Sequence, residues 1–215
     1  MKQNQLFVII ALGVIIASFI YPVATLILGL QVEGYSHLRD LISELGVSHL
    51  PYAWILTAVL IVDSVLVIGL AIAIQQSIGQ RGQNQWAAIF VGLFGATLLI
   101  GGLFPCDIDC RPNSLNGWMH VLNFLPSLVA TVGAPFLMQR KFAEDKRLSL
   151  FATASLILGV LTVVFVASSV VIFPLLALNG LGQRLVLMLQ LAFYILTAVA
   201  VIHVNVESSN EMVWV

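Results

Sequence analysis

Residues able to do chemistry gather in two short polar stretches of an otherwise apolar chain. The first is YSHLRDLISELG at residues 35–46, and the second is FPCDIDCRPNSLNGWMH at residues 104–120. Acids and imidazoles that converge at the mouth of a pocket are candidate acid/base groups or ligands. The candidate residues in these stretches are His37, Arg39, Asp40, Ser43, Glu44, Asp107, Asp109, Arg111 and His120.

Four of these side chains have the chemistry that a catalytic site needs. Glu44 and Asp107 are candidate bases or ligands, because carboxylates accept protons and bind cations. His120 is a candidate proton shuttle or ligand. Ser43 is a candidate nucleophile or supporting group. The other members of the two stretches are candidate binding residues, together with Arg184 in NGLGQR at residues 179–184.

An ion-pair lid is the alternative explanation of the same residues. The segments hold three arginines and four acids, and ion pairs in a partly desolvated rim can fix loops in place. The pairs would join Arg39, Arg111 and Arg184 to Asp40, Glu44, Asp107 and Asp109. An imidazole without a partner near the acids would favour a functional role.

The two cysteines, Cys106 and Cys110, flank three residues in the segment CDIDC. In an oxidising compartment they can form a disulfide that closes a tight loop. As thiolates they can instead bind zinc together with His120, because the spacing lies within the range of zinc ligands. Free thiols are the third alternative, and the sequence assigns neither a metal nor any other cofactor.

The composition is that of a membrane protein. The mean hydropathy is +1.04, with 60% hydrophobic and only 9% charged residues, whereas about 25% of residues are charged in soluble proteins. A net charge of -1 offers no basic surface for nucleic acid. The motifs HExxH, GxSxG, the Walker loop and CxxC are absent, so the chemistries they mark lose their main support.

Six apolar segments are long enough to cross a membrane, which takes about 20 residues in a helix. The first follows a short polar leader and lacks a cleavage pattern, so we interpret it as a retained span. The predicted fold is all-α, a polytopic six-helix transmembrane bundle forming one domain over residues 1–215. The predicted spans are Leu6–Leu30, Tyr52–Ile74, Trp86–Phe104, Trp118–Met138, Leu148–Phe173 and Leu185–Val206.

The distribution of lysine and arginine predicts that both termini are cytoplasmic, because cytoplasmic loops carry an excess of positive residues. Arg39, Arg111 and Arg184 lie in the first, third and fifth connections. The six at the N-terminus and in the other connections are Lys2, Arg81, Arg140, Lys141, Lys146 and Arg147. The two polar stretches and NGLGQR therefore share the predicted outer face.

A short amphipathic helix is predicted over residues 36–46, in the first outer loop. Its apolar residues Leu38, Leu41, Ile42 and Leu45 have the i, i+3, i+4, i+7 spacing of one helix face. Ser36 is a suitable N-cap, and a glycine such as Gly46 suits the left-handed position that follows a helix. Such a helix lies in the membrane interface or over the mouth of the bundle.

Asp63 is the one acid inside a predicted span, about 16 Å from the outer end at about 1.5 Å per residue. An ionisable group at this depth is costly and by default functional. The alternative is a protonated acid that donates one hydrogen bond between helices. Polar residues of other spans at a similar depth are Ser18, Tyr21, Ser127, Gln190 and Tyr194.

Several of these motifs resemble those of the domain-of-unknown-function 998 family, small six-span membrane proteins of bacteria and archaea. ISELG, GGLFPCD, NGWMH and GLGQR carry the resemblance over nearly the whole chain. It implies a site at the outer face and a prokaryotic cytoplasmic (inner) membrane, but no reaction. ISELG with the later histidine is also distantly similar to the DRAM/Frag/Sfk membrane proteins, which are associated with lipid remodelling and distribution.

Three functions are compatible with these observations. The first is an outward-facing polar pocket that binds or acts on a membrane lipid or other amphiphile. The second is a non-catalytic subunit or assembly factor, with a membrane-protein partner or a second copy of the chain bound at the outer motifs. The third is ion- or proton-coupled transport through Asp63.

Overall fold

The computed structural model describes residues 3–78 and 85–211, with side chains up to residue 207. Within them the regular structure is all-α, and six helices are long and apolar enough to cross a membrane. The predicted six-helix membrane fold is therefore confirmed. The helices are α1 (Gln3–Gln31), α2 (Ala53–Ser77), α3 (Trp86–Leu103), α4 (Leu115–Ala143), α5 (Ser149–Leu175) and α6 (Asn179–Glu211).

The six helices form a ring in which each packs against its neighbours in sequence and α1 packs against α6. Contacts between α2 and α6 cross this ring. Because the helices alternate in direction, the connections 32–52, 104–114 and 176–178 lie at one end, which we call the outer end after the predicted topology. Which end faces the cytoplasm stays a prediction, and Lys2 and Arg81 lie outside the described residues.

The main hydrophobic core fills the half of the ring away from the outer end. It contains residues from all six helices, among them Phe7, Leu70, Val91, Met138, Ala152 and Phe193. A second, smaller core lies near the outer end and contains Tyr21, Leu28, Ile42, Leu45 and Leu56. Its members come from α1, α2 and the first outer loop, with Leu187 of α6 packed against it. Helices α4 and α5 contribute nothing to this outer core.

The helix in the first outer loop is shorter than predicted. It is a 3₁₀ helix, Ile42–Gly46, preceded by a turn at residues 37–40. Ser36 caps no helix; its N–H donates to Asp40 Oδ2 at 2.6 Å, which closes the turn. Leu38 is 53% exposed whereas Ile42 and Leu45 are buried, so the four apolar residues do not share one face.

Gly46 does not occupy the left-handed position that the sequence predicts. It lies inside the 3₁₀ helix and is buried. Gly34 is the glycine with a positive φ among the described residues, and it lies where the chain leaves α1. The turn after α1, not the end of the ISELG segment, therefore uses the conformational freedom of a glycine.

Candidate functional site

Arg184 ties the first outer loop to α6. Its Nη1 donates to the carbonyl oxygens of Asp40 at 3.1 Å and Gly180 at 3.0 Å. Its Nη2 donates to the Tyr35 hydroxyl at 2.6 Å and lies 3.1 Å from His37 Nδ1. The guanidinium also lies over the Tyr35 ring, 5.7 Å from its centroid. Four acceptors thus hold one cation, and we call these five residues the Arg184 clamp.

Backbone hydrogen bonds reinforce the Arg184 clamp. The N–H groups of Gly180 and Leu181, in the first turn of α6, donate to the carbonyls of Arg39 and Leu38 at 3.1 and 2.9 Å. The Ile42 N–H donates to Gln183 Oε1 at 2.6 Å. A Cβ added at Gly180 would lie 2.3 Å from the Asp40 carbonyl oxygen, so the close approach requires glycine there.

His37 accepts a hydrogen bond in the Arg184 clamp, because a guanidinium can only donate. Its Nδ1 is therefore unprotonated and its Nε2 carries the hydrogen, and Nε2 is buried without a partner among the described residues. The ring lies against α1, where a Cβ on Gly29 would overlap it. Burial, and then the charge of Arg184, lower the pKa of His37 below its usual value of 6.5.

Acidification is expected to loosen the Arg184 clamp. The loosened loop takes up a proton on His37 more readily than the closed loop, so the clamp is at full strength above about pH 6.5 and weakens as the pH falls. Hydrogen exchange of the Gly180 and Leu181 amides, which donate to the first loop and are not capped by Glu44, should show more opening at about pH 5 than at about pH 7.5 after correction for its intrinsic pH dependence. His37→Gln should remove the difference, and a difference that survives in this variant contradicts the assignment.

The ion-pair lid, the alternative that the sequence leaves open, is not formed at the outer end of the described chain. The ion pairs found in residues 3–78 and 85–207 join Arg147 to Asp145 and Glu207, and His203 to Glu207, at the opposite end. Arg184 binds carbonyl, hydroxyl and imidazole acceptors instead of a carboxylate. Arg39, Arg111 and Asp109 are exposed at the surface.

The two polar stretches are neighbours at the outer end. Cys106 and Cys110 are joined by a disulfide, one of the three alternatives left open by the sequence. Ser43 lies against it, with its Oγ 3.3 Å from Cys110 Sγ and its carbonyl oxygen 3.3 Å from Cys106 Sγ. Ser43 therefore contacts the disulfide of the other stretch.

The acids Asp107 and Glu44 both cap local structure. Asp107 Oδ2 accepts from the N–H groups of Asn113 and Ser114 at 2.7 and 2.8 Å, and Oδ1 accepts from the Ser114 hydroxyl at 2.7 Å. These hydrogen bonds, the Ser114 hydroxyl first, lower the pKa of Asp107. Glu44 Oε1 accepts from the Leu41 N–H at 3.1 Å, while burial raises the pKa of Glu44.

His120 has a free ring nitrogen near the outer end of α4. Its Nδ1 lies 3.0 Å from the Phe104 carbonyl oxygen, which can only accept, so Nδ1 carries the hydrogen. Nε2 then has a lone pair, and no hydrogen bond joins it to a described residue. This arrangement is typical of an imidazole that acts as a base or ligand. Groups of three or more metal-binding side chains are not found in the described part of the chain.

A polar stripe runs down α4 from His120. Asn123 donates from Nδ2 to the Thr97 carbonyl at 2.8 Å, while its Oδ1 is buried with no partner among the described residues. Ser127 follows one turn deeper. At steps of three or four residues, His120, Asn123 and Ser127 continue the face that carries the buried Thr131, Ala134 and Met138.

The outer halves of α4 and α5 are less buried than the rest of these helices. Residues 118–129 of α4 and 163–175 of α5 include no buried residue, although the other halves of both helices do. In its outer half α4 contacts α3 through Asn123, and a Cβ at Gly182 of α6 would meet Phe173 and Ser169 of α5. The packing that buries residues in the inner halves of α4 and α5 is therefore not repeated in their outer halves.

The family model described as "Protein of unknown function (DUF998)" matches residues 15–200. The chain belongs to this DUF998 family. No curated protein and no solved structure matches it. The matched range begins in α1, ends in α6 and includes the Arg184 clamp, the disulfide and the polar stripe of this DUF998 protein.

Asp63 of the DUF998 chain lies apart from the outer residues. It is on α2 and lines a small cavity between α1, α2, α3 and α6. Four of the five polar residues that the sequence places at its depth, Ser18, Tyr21, Gln190 and Tyr194, line the same cavity. Ser127 does not, because it lies on α4.

Three residues that hydrogen-bond at the candidate site of this DUF998 chain are not among the sequence-predicted residues. Tyr35 and Gln183 hold the first loop on α6, and Asn123 extends the polar stripe. Tyr35 and Gln183 lie inside the motifs YSHLRDLISELG and GLGQR, in which the charged residues and histidine are the more obvious candidates. Asn123 does carry a sequence signal, since an amide three residues after His120 in an apolar span lies on the same helix face.

Proposed function

We propose that this protein binds an amphiphile of the outer membrane leaflet, such as a phospholipid, in a cleft between the outer halves of α4 and α5. The absence of buried residues from residues 118–129 and 163–175 is the observation that carries the proposal. The other four helices have buried residues in their outer halves. Helix α4 carries the polar stripe beside exposed apolar side chains, and this combination suits an amphiphile with a polar headgroup and acyl tails.

The head of the amphiphile would lie at the polar stripe. His120 Nε2 and Asn123 Oδ1 are both acceptors without a protein donor in the described chain. A buried acceptor without a partner, such as Asn123 Oδ1, costs about 1–3 kcal/mol, and a ligand hydroxyl or ammonium would recover this energy. The ligand class that fits is therefore an amphiphile whose headgroup donates hydrogen bonds.

The tails would lie along the apolar surfaces of the two helices. Leu122, Phe124 and Leu125 of α4 are 63–65% exposed. Val170, Val171 and Ile172 of α5 are 51–66% exposed. Acyl chains are a favourable environment for such side chains, whereas the polar stripe is costly against hydrocarbon alone. Binding, and not a named reaction, is the function that these contacts support.

Photolabelling in nanodiscs tests this proposal. The probe is phosphatidylglycerol with a diazirine close to its headgroup, whose glycerol hydroxyls donate hydrogen bonds. We expect saturable labelling of peptides covering residues 118–129, competed by unmodified phosphatidylglycerol. The lipid-facing residues Ile16, Phe19 and Val23 of α1 are 54–62% exposed and supply the internal reference for non-specific labelling.

A phosphatidylcholine probe of the same design is the chemical control, because its headgroup has no hydroxyl or N–H donor. It should label α4 no more than α1. Equal labelling of α1 and α4, or equal labelling by both probes, would contradict the proposal. A partner protein or second copy that covers α4 and α5 would instead leave α4 less labelled than α1 by both probes, which also contradicts the proposal.

A further inference from the structure

We propose that the cavity beside Asp63 is a proton-binding site, in which the Asp63 carboxylate and one or two water molecules hold an exchangeable proton inside the membrane. This site is separate from the proposed amphiphile cleft, and neither proposal depends on the other. It is carried by three observations: the cavity itself, a carboxyl group without a hydrogen bond, and buried polar atoms around it that also lack partners.

The cavity is a gap among four helices at the middle of the bundle. Its volume of about 30 Å³ is large enough for one or two water molecules. A lipid headgroup does not fit this space. The lining is Val14, Ala17, Ser18, Tyr21, Asp63, Leu66, Val67, Phe94, Leu98, Leu187, Gln190, Leu191 and Tyr194.

Asp63 has no protein partner in the described chain. It is 8% exposed, yet no hydrogen bond or ion pair joins it to a described residue. The structural alternative drawn from the sequence, an acid that donates one hydrogen bond between helices, therefore lacks its acceptor. A buried carboxyl group in an apolar setting is costly in its charged form, so water or a bound proton is needed to stabilise it.

The polar atoms around the cavity need partners too. The side-chain amide of Gln190 and the hydroxyl of Tyr194 lie near each other and are buried, yet none of their polar atoms makes a hydrogen bond of standard geometry, and each residue is 2% exposed. Pro22 in α1 has no N–H, so it cannot pair with the carbonyl of Ser18, four residues earlier. Water molecules, which both donate and accept, satisfy such a mixed set of groups.

The other titratable groups near Asp63 come from α1 and α6. Tyr21 lies within electrostatic reach of Asp63 and of Arg184, and Tyr194 of α6 also lines the cavity. Helix α3 contributes the apolar Phe94 and Leu98. One carboxylate supplies a single negative charge, whereas hard divalent cations take about six or more oxygen ligands. A proton therefore suits the site better than a divalent metal ion.

Infrared difference spectroscopy on the protein in nanodiscs tests the proton site. We expect a protonated carboxyl C=O band that shifts on transfer to D₂O and is lost as the pH rises. The band should be absent from Asp63→Asn and retained in Glu33→Gln, which removes an exposed acid of the first outer loop. Addition of Na⁺ at constant pH should leave it unchanged.

Three results would overturn the proposal. A band that does not shift in D₂O means that Asp63 is sealed from water. A band that persists in Asp63→Asn belongs to another acid, and a band lost on addition of Na⁺ identifies a metal-ion site instead. Should Asp63→Asn fail to fold, Gln190→Leu keeps the acid and should shift the frequency of the band, because it removes a neighbour of the bound water.

Discussion

Replacing Arg184 by methionine is expected to destabilise the protein by about 3 kcal/mol, because four acceptors then lose a charged donor. Methionine keeps most of the apolar length of the side chain, so the loss reports the hydrogen bonds and not a cavity. The acceptors are the carbonyls of Asp40 and Gly180, the Tyr35 hydroxyl and His37 Nδ1. Denaturant unfolding in detergent measures the change.

Arg39→Met is the matched control for this prediction. Arg39 lies in the same loop, is exposed and forms no ion pair with a described residue. Its loss should change stability by no more than about 0.5 kcal/mol. Hydrogen exchange gives a local readout, since the Gly180 and Leu181 amides that donate to the first loop should exchange faster in Arg184→Met. Similar stability of the two variants would mean that the Arg184 clamp does not hold the loop.

Replacing His120 by leucine is expected to weaken phosphatidylglycerol binding about tenfold, which corresponds to the loss of one hydrogen bond of about 1.4 kcal/mol. The change removes the free Nε2 acceptor at the proposed headgroup position. It also leaves the Phe104 carbonyl without its donor, so unfolding must be measured alongside binding. The concentration of diazirine probe that gives half-maximal labelling of residues 118–129 is the readout.

Two further variants separate the headgroup contact from general effects. His49→Leu removes an exposed histidine of the first outer loop and should leave labelling unchanged. Asn123→Leu removes the second acceptor of the stripe and should weaken binding in the same direction as His120→Leu. Full affinity in both stripe variants would show that the headgroup is bound elsewhere.

The six helices are predictable because the physics that makes them is local. A run of about 20 apolar residues forms a helix in lipid whatever surrounds it. Depth is predictable for the same reason, since the helical rise is constant. Counting residues from the helix ends places five polar residues at the level of Asp63; Ser127 does not line its cavity, and the four that do are Ser18, Tyr21, Gln190 and Tyr194.

Contacts between loops are harder to predict, because they join residues that are far apart in the sequence and depend on the three-dimensional fold. The spacing of Leu38, Leu41, Ile42 and Leu45 matches a helix, but Ser36 and Asp40 close a turn instead. Charge counting pairs arginines with acids, yet Arg184 binds carbonyl oxygens that no sequence pattern marks. The sequence predicts Asp107 and Glu44 as catalytic bases or ligands. In the structure both carboxylates instead accept hydrogen bonds from backbone N–H groups a few residues away.

Thiol labelling of Asn123→Cys in intact membranes tests the central claim, that the outer half of the bundle opens between α4 and α5. The native cysteines are paired in a disulfide and leave no background. Two controls on the same helix are Met138→Cys, on the stripe face but fully buried, and Leu122→Cys, which is 64% exposed on the lipid side. Thiols react as thiolates, which form in water and not in hydrocarbon.

We expect a membrane-impermeant reagent added from the outer side to modify Asn123→Cys, and phosphatidylglycerol to slow the reaction. Both controls should stay unmodified. An Asn123→Cys thiol that is as unreactive as Leu122→Cys, or that reacts only from the cytoplasmic side, would contradict an outward-facing opening between α4 and α5.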